Sequence, residues 1–126
     1  MAFGNFEDLE VYKKYREFRI EVSNIVNQYF PEHEKYSLKS QIIKSSRSIT
    51  ANIEEGAGRH HFQENIQFCR ISRGSLTESL DHLIFAFDEK YISEGQLNIL
   101  RQKYNEYLRL LNGYISYLKK QKNPLT

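Results

Sequence analysis

The residues best suited to do chemistry are basic side chains on both sides of a short segment, residues 52–59, that contains two glycines. Arginine and lysine bind phosphate by charge, and arginine adds a fork of N–H donors. Because helical patterns flank the segment, we expect these side chains to share one end and flank of the molecule, where they can bind phosphates by sequence-independent electrostatics. The candidate nucleic-acid-binding residues are Lys44, Arg47, Arg59, Arg70 and Arg73.

The same basic residues also have a structural interpretation. Glu54, Glu55 and Glu64 lie close to them in the sequence and partly neutralise them. For an isolated monomer, an ordinary solvated face is therefore the simpler hypothesis, and phosphate binding is the alternative.

The rest of the sequence contains no combination of residues that is typical of catalysis or metal binding. Di-metal bundles use Glu-x-x-His pairs, whereas His61 and Glu64 stand in the reverse order and lack partners. The serines form no nucleophile elbow, and residues 56–58 lack the preceding strand and the following Gly-Lys-Ser/Thr of a phosphate loop. Cys69, the single cysteine, has the helical spacing of a small core residue. The sequence therefore predicts a protein that is not an enzyme and has no metal site and no cofactor.

Composition places the chain among soluble globular proteins. It has 126 residues, of which 40% are hydrophobic and 27% are charged, and its net charge of +2 gives no global argument for a polyanionic partner. No apolar run approaches the roughly 18 residues of a membrane span, and the first residues lack the basic flank and apolar core of a signal peptide. We expect a cytoplasmic protein that does not interact with a membrane.

Hydrophobic residues recur at spacings of three and four in four segments, about 8–29, 38–56, 62–90 and 94–121. Pro31 ends the first pattern, and Asp8 and Ser37 are expected to cap the first two helices. Ser93 and Gln96 have the spacing of a capping box at the start of the fourth. These features predict an all-α protein, an antiparallel up-down-up-down four-helix bundle, in a single domain of residues 1–126.

Small residues on the second and third helices indicate close helix packing. Gly56 and Gly58 favour the left-handed conformation with which helices commonly end, so the second helix should stop within residues 52–59. Gly74 lies in the middle of the third helix, where glycine costs about 1 kcal/mol relative to alanine. Close approach of another backbone is the expected compensation.

The fourth helix carries a second apolar stripe beside its core-facing one. One core needs an apolar arc of roughly 100°, so the additional stripe predicts a second buried surface, that is, an oligomer interface. Tyrosines suit such an interface because the ring is covered while the hydroxyl stays near water. The alternative is that they line the solvent margin of the core. The stripe consists of Ile99, Tyr107, Leu110, Tyr114 and Tyr117.

Several motifs together resemble the four-helix-bundle family of 23S rRNA intervening-sequence proteins, over nearly the whole chain. The most specific motif, Asn-Ile-x-Glu-Gly-x-Gly-Arg, is matched by Asn52, Ile53, Glu55, Gly56, Gly58 and Arg59. The others are Phe30-Pro31-x-x-Glu34-x-Tyr36-x-Leu38, Ser48-Ile49 and Gly74-Ser75-Leu76-x-Glu78.

The resemblance implies a bacterial cytoplasmic bundle, similar in fold to the accessory protein of diversity-generating retroelements. It also implies assembly into homopentameric rings and a proposed role with nucleic acid, without an established catalytic activity. The motif residues are expected to be mainly structural, with Asn52 bonding backbone groups at the helix end, Glu55 pairing with Arg59, and Gly74 with Ser75 permitting tight contact. The full set of structural motif residues is Asn52, Glu55, Gly56, Gly58, Gly74, Ser75 and Glu78.

Two hypotheses about function follow. The first is a non-enzymatic homo-oligomer, a pentamer by the resemblance, that binds structured RNA or DNA through basic residues near the turn between the second and third helices. Ring symmetry would repeat the modest patch of each subunit and strengthen its field. The alternative is a protein-interaction scaffold that docks a partner protein without nucleic acid.

Overall fold

Residues 5–122 are described by a computed structural model and form four long helices. These are α1 (Glu10–Tyr29), α2 (Leu38–Gly58), α3 (Phe62–Asp88) and α4 (Glu94–Lys122), with single 3-10 turns at Phe6–Asp8 and Glu32–Glu34. Residues 1–4 and 123–126 of the predicted domain lie outside the described range. Within residues 5–122, no helix meets the length and hydropathy needed for a transmembrane segment.

Helices α2 and α3 are antiparallel and meet through serine hydroxyls. Ser45 Oγ lies 2.8 Å from Ser79 Oγ, and Ser75 Oγ donates to Ser48 Oγ at 2.9 Å. Residue numbers therefore rise on one helix as they fall on the other. Because hydroxyls have little volume, these contacts bring the two backbones close together.

The remaining helix pairs are antiparallel by the same criterion. Since α4 runs opposite to both α1 and α3, and α3 runs opposite to α2, the predicted up-down-up-down order is present. Each helix contacts two neighbours, which places α1 diagonally from α3 and α2 diagonally from α4. The contacts that define the order are Asn65 with Tyr114, Thr77 with Tyr104, Tyr15 with Tyr107, and Glu21 with Lys103.

Tyr107 belongs to the hydrophobic core, so its prediction as an interface residue is wrong. Only 4% of Tyr107 is exposed, and its backbone oxygen accepts a hydrogen bond from the Tyr15 hydroxyl at 3.0 Å. Its ring packs edge to face on Phe18, with the ring centroids 5.7 Å apart. The α1–α4 contact therefore covers the part of the fourth helix that carries Tyr107.

The helix starts differ in part from those predicted. Helix α1 begins at Glu10, because the Asn5 side chain caps a preceding 3-10 turn that includes Asp8. The predicted capping box of α4 is confirmed, since Gln96 N donates to Ser93 Oγ at 3.1 Å and Ser93 N donates to Gln96 Oε1 at 2.7 Å.

The two glycines at the end of α2 do not act as left-handed terminators. The helix continues through Gly56 and ends at Gly58, and the residue with positive φ is His60, at 56°. Gly56 instead permits close approach of α3, because a Cβ atom there would lie 2.6 Å from Asn65 Oδ1. Gly74 was expected to make such a contact, but no atom lies within 4 Å of the position of its Cβ.

Glu34 starts α2 in place of the expected Ser37 side chain. Its Oε1 accepts hydrogen bonds from the Ser37 hydroxyl and from Leu38 N, and its Oε2 accepts one from the Tyr91 hydroxyl at 2.7 Å. These hydrogen bonds, that from Ser37 first, lower the pKa of Glu34, while the bond to Glu34 raises the pKa of Tyr91 to about 12. One carboxylate thus joins the α1–α2 connector to the α3–α4 connector.

Substitution of Gly56 and Gly74 by alanine should have opposite effects. Gly56→Ala is expected to lower the free energy of unfolding by about 1–3 kcal/mol, because its Cβ must displace α3. Gly74→Ala should raise it by about 0.5–1 kcal/mol, because alanine favours the helix and meets no neighbour. Urea denaturation of both variants measures the difference, and equal effects would contradict the α2–α3 geometry.

The Glu34 cap should make stability depend on pH. Because the folded pKa of Glu34 is lowered, its contribution is present above the ordinary glutamate pKa of 4.5 and is lost as pH falls through the folded value. Tyr91→Phe should therefore lower the melting temperature at pH 7 and have a smaller effect near pH 3. Thermal melts at both pH values, with Tyr36→Phe as the control, test this. A pH-independent difference would exclude Glu34 as the partner.

Candidate nucleic-acid interface

Arg59 is surrounded by acidic groups at the end of α2. Its guanidinium donates to Glu55 Oε1 at 2.9 Å, lies 3.5 Å from Glu64 Oε2, and packs over the ring of Phe68 at 5.1 Å. The expected Glu55–Arg59 pair is present. Because two carboxylates surround one guanidinium, this cluster has no excess positive charge for a phosphate.

Arg73 lies on the side of α3 that faces α4. Its Nη1 donates to Asn112 Oδ1 on α4 at 2.8 Å. Arg70 is exposed one turn earlier and on the same side, since residues three apart in a helix are neighbours. The residues of α3 that contact α2 are different ones, including Ser75 and Ser79. The five predicted basic residues therefore do not form one patch.

Lys44 and Arg47 line an open groove that is formed by the outer face of α2 and by the connector before it. The groove has a volume of about 760 Å³. We call it the α2 groove, and it is lined by Glu32, Lys35, Tyr36, Lys39, Ser40, Ile43, Lys44 and Arg47.

The α2 groove concentrates positive charge. Its lining contains four basic residues and one acidic residue, a local charge of +3, whereas the whole chain carries +2. The acidic residue, Glu32, lies 4.0 Å from Lys35, and both side chains are more than half exposed. Such a solvated pair is weak and leaves Lys35 able to exchange partners. The groove is therefore positive although the protein as a whole is nearly neutral.

Helical spacing places the basic residues of α2 in this groove. Ile42 and Ile49 are buried in the core, and Ser45 faces α3. Lys44 and Arg47 are three residues apart on the opposite, exposed side, where side chains at this spacing are neighbours. The face of α2 that packs inward thus determines where its positive charge lies.

Sequence reasoning missed three groove residues, Lys35, Tyr36 and Lys39. Lys35 and Tyr36 lie in the connector before α2, whose side chains follow no helical period, so their position beside Lys44 was not predictable from spacing. A usable signal was present in the motif Phe30-Pro31-x-x-Glu34-x-Tyr36-x-Leu38. Glu34 caps the helix and Leu38 is buried, whereas Tyr36 is 88% exposed and serves neither purpose.

The other motif residues have structural surroundings. Asn52 Nδ2 donates to the backbone oxygen and to Oγ of Ser48, one turn earlier in α2, rather than to groups at the helix end. Ser75 contacts α2 through Ser48, as expected. Glu78 is exposed and pairs with His82 at 3.2 Å on the same helix.

The remaining candidates for chemistry are the single cysteine and the possible metal ligands. Cys69 is fully buried, and burial raises the pKa of its thiol to about 12, so the nucleophilic thiolate is scarce at neutral pH. Within residues 5–122, no group of three or more His, Cys, Asp or Glu side chains is arranged to hold a metal ion.

Of the other four residues of the predicted interface stripe, Ile99 and Tyr117 are exposed, whereas Leu110 and Tyr114 are partly buried. Leu110 and Tyr114 line a depression of about 650 Å³ together with Leu9 of the α1 N-terminus, and Ile99 lines another of about 240 Å³. Tyr117 is 52% exposed and stacks on Tyr114, with the ring centroids 6.3 Å apart. We call Ile99, Leu110, Tyr114 and Tyr117 the α4 stripe.

The fold and its surface define an all-α four-helix bundle with a basic groove on its second helix and an apolar stripe on its fourth. The family model of the 23S rRNA-intervening sequence proteins matches residues 7–113, and the chain therefore belongs to this family. The sequence-based assignment to the family is confirmed.

A solved structure agrees with this assignment. The chain is similar to the crystal structure of a protein with unknown function from the S23 ribosomal protein family of Bacteroides thetaiotaomicron. The two sequences are 25% identical, and the structures match with a TM-score of 0.75. The match covers 83% of this chain and 97% of that chain. No curated protein matches the chain.

Proposed function

We propose that this protein is a non-enzymatic, cytoplasmic homo-oligomer that binds RNA or DNA through phosphates seated in the α2 groove. The observation that carries the proposal is the local charge of +3 on a nearly neutral chain. Backbone phosphates are the part of nucleic acid that such a surface recognises, and their binding releases condensed counterions. This proposal retains Lys44 and Arg47 from the sequence-based set and replaces the other three residues by Lys35 and Lys39.

The dimensions of the groove suit a polyanion. Lys39 and Arg47 are eight residues apart, which corresponds to about 12 Å along a helix. One strand of B-form DNA has a phosphate about every 3.4 Å of axis, so roughly three or four phosphates fit this length. Lys44 lies between the two ends, so one strand can contact cations on consecutive turns.

Self-association through the α4 stripe would multiply this weak site. Ile99 and Tyr117 are 56% and 52% exposed and lie on one face of α4 with Leu110 and Tyr114, and apolar residues that share one face support an interaction surface. The α2 groove lies on the helix diagonal to α4, so an assembly through α4 leaves it accessible. The family resemblance suggests five subunits, and several grooves on one particle raise the effective affinity for a long polyanion.

Removal of two groove charges tests the nucleic-acid proposal. The double substitution Lys44→Gln and Arg47→Gln should weaken binding to structured RNA roughly tenfold at low salt and make the dependence of log K on log salt shallower by about two phosphate contacts. Fluorescence anisotropy with labelled RNA and DNA at several salt concentrations provides the measurement.

The matched control is Arg70→Gln with Arg73→Gln, which removes the same charge from the opposite side of α3. It should leave affinity and salt slope nearly unchanged. A larger loss of affinity in this control than in the groove variant would show that the binding site lies on α3 instead. If the intact protein binds no nucleic acid at low salt but retains a nuclease-resistant protein partner, the scaffold hypothesis replaces the proposal.

Charge placed on the α4 stripe should dissociate the oligomer. Ile99→Lys and Tyr117→Lys are expected to shift the mass measured by light scattering toward the 15.0 kDa of one chain, because a buried lysine lacks a partner. Ile71→Lys is the control, since Ile71 is also 52% exposed but lies on α3. A wild-type protein that is monomeric at micromolar concentration would contradict self-association.

A further inference from the structure

We infer that the α2 groove selects unpaired nucleotides, because Tyr36 offers its ring as a stacking platform for one exposed base. This inference rests on the proposed function and adds to it the kind of nucleic acid that the groove prefers. The occupant would be a single-stranded segment, such as a loop, a bulge or an unpaired overhang. Its phosphates would lie on Lys39, Lys44 and Arg47, and one base would lie on Tyr36.

Tyr36 differs from the other large hydrophobic residues in its exposure. It is 88% exposed, whereas Ile99, the next most exposed of them within residues 5–122, is 56% exposed. Lys35 Nζ lies over the ring, 5.4 Å from its centroid, and within residues 5–122 no aromatic pair or hydrogen bond of the Tyr36 side chain is present. Because most of the ring faces solvent, it is available to a flat ligand that can stack on it.

Many of the other tyrosines have evident structural purposes. Their hydroxyls bond to other helices or connectors and hold the bundle together, in agreement with the usual behaviour of a partly buried phenol. Tyr36 takes part in no such contact among the described residues. The tyrosines with cross-element hydrogen bonds are Tyr15, Tyr91, Tyr104, Tyr107 and Tyr114.

The surroundings of the Tyr36 ring identify the chemistry of its partner. The ring lies in one groove with Lys35, Lys39, Lys44 and Arg47, so a ligand that covers it is also held by cations. A base with its attached phosphates combines a flat π surface with negative charge, and the combination of an aromatic platform and a basic groove is how single strands are commonly bound.

Base pairing determines whether the Tyr36 ring can be used. In a continuous duplex each base is stacked between its neighbours, so no base face is available to a side chain. A base in a loop or in an unpaired overhang can turn outward and stack on an aromatic ring. A duplex can therefore bind the lysines and arginine of the groove but gains nothing from Tyr36. The ring thus gives the groove a preference for unpaired nucleotides over a duplex, which the cations alone would not provide.

The test compares Tyr36→Ala and Tyr36→Phe in the intact protein. The probes are a single-stranded oligonucleotide containing 2-aminopurine and a blunt duplex of the same length. Tyr36→Ala should weaken binding to the single strand about tenfold or more and abolish the quenching of 2-aminopurine, because one base stack is lost. Tyr36→Phe should retain both, and neither variant should change duplex affinity. Tyr29→Ala, an exposed tyrosine outside the groove, should behave as wild type.

The outcomes separate this inference from the function on which it rests. If Lys44→Gln with Arg47→Gln weakens binding of both probes while Tyr36→Ala changes neither, base stacking is excluded and phosphate binding stands. Equal losses for single strand and duplex in Tyr36→Ala would also overturn the selectivity. If the wild-type protein binds neither probe, both proposals fail. If Tyr36→Ala abolishes capture of a nuclease-resistant protein instead, the ring serves a protein contact and the inference is wrong.

Discussion

The close approach of α2 and α3 is the constraint on which the rest of the structure depends. Hydroxyls can enter a core only if they are hydrogen-bonded, and here they bond across the helix pair, as when Ser72 Oγ donates to the Ile49 backbone oxygen at 2.7 Å. Gly56 extends the contact toward the turn, because a larger residue there would collide with Asn65. The small side chains fix the distance between the helices, and the hydrogen bonds fix their rotation about their axes.

The rotation of α2 determines where its charge can act. Ile42, Ile49 and Ile53 are directed into the core and Ser45 and Ser48 bond to α3, so the remaining arc faces solvent, and that arc carries Lys44 and Arg47. The Glu34 cap fixes the other side of the same groove, because it ties the connector to Tyr91 and leaves Lys35 and Tyr36 beside the first turns of α2. Two separate interactions, the serine hydrogen bonds between α2 and α3 and the Glu34 cap, thus together form the α2 groove.

The fold was largely predictable from the sequence, whereas the site was only partly so. Helical periodicity gives the number of helices, and local spacing gives the Ser93–Gln96 capping box and the Glu55–Arg59 pair, since each depends on a few neighbouring residues. Each helix packs against two others, and spacing along one helix does not show which of these two a given side chain faces. For this reason spacing alone did not show that Arg73 contacts α4, away from Lys44 and Arg47, or that Tyr107 is buried in the core.

The separation of charge and apolar surface on diagonal helices makes assembly and polyanion binding compatible. The groove has a local charge of +3, so the rest of a chain whose net charge is +2 sums to −1, and copies that meet through α4 would repel one another little. The positive field would then face outward from each subunit, on the helix diagonal to the contact. A uniformly basic protein would have to overcome that repulsion. Here the serine contacts between α2 and α3 fix the orientation of α2, so that its positive charge lies away from the surface where copies would meet.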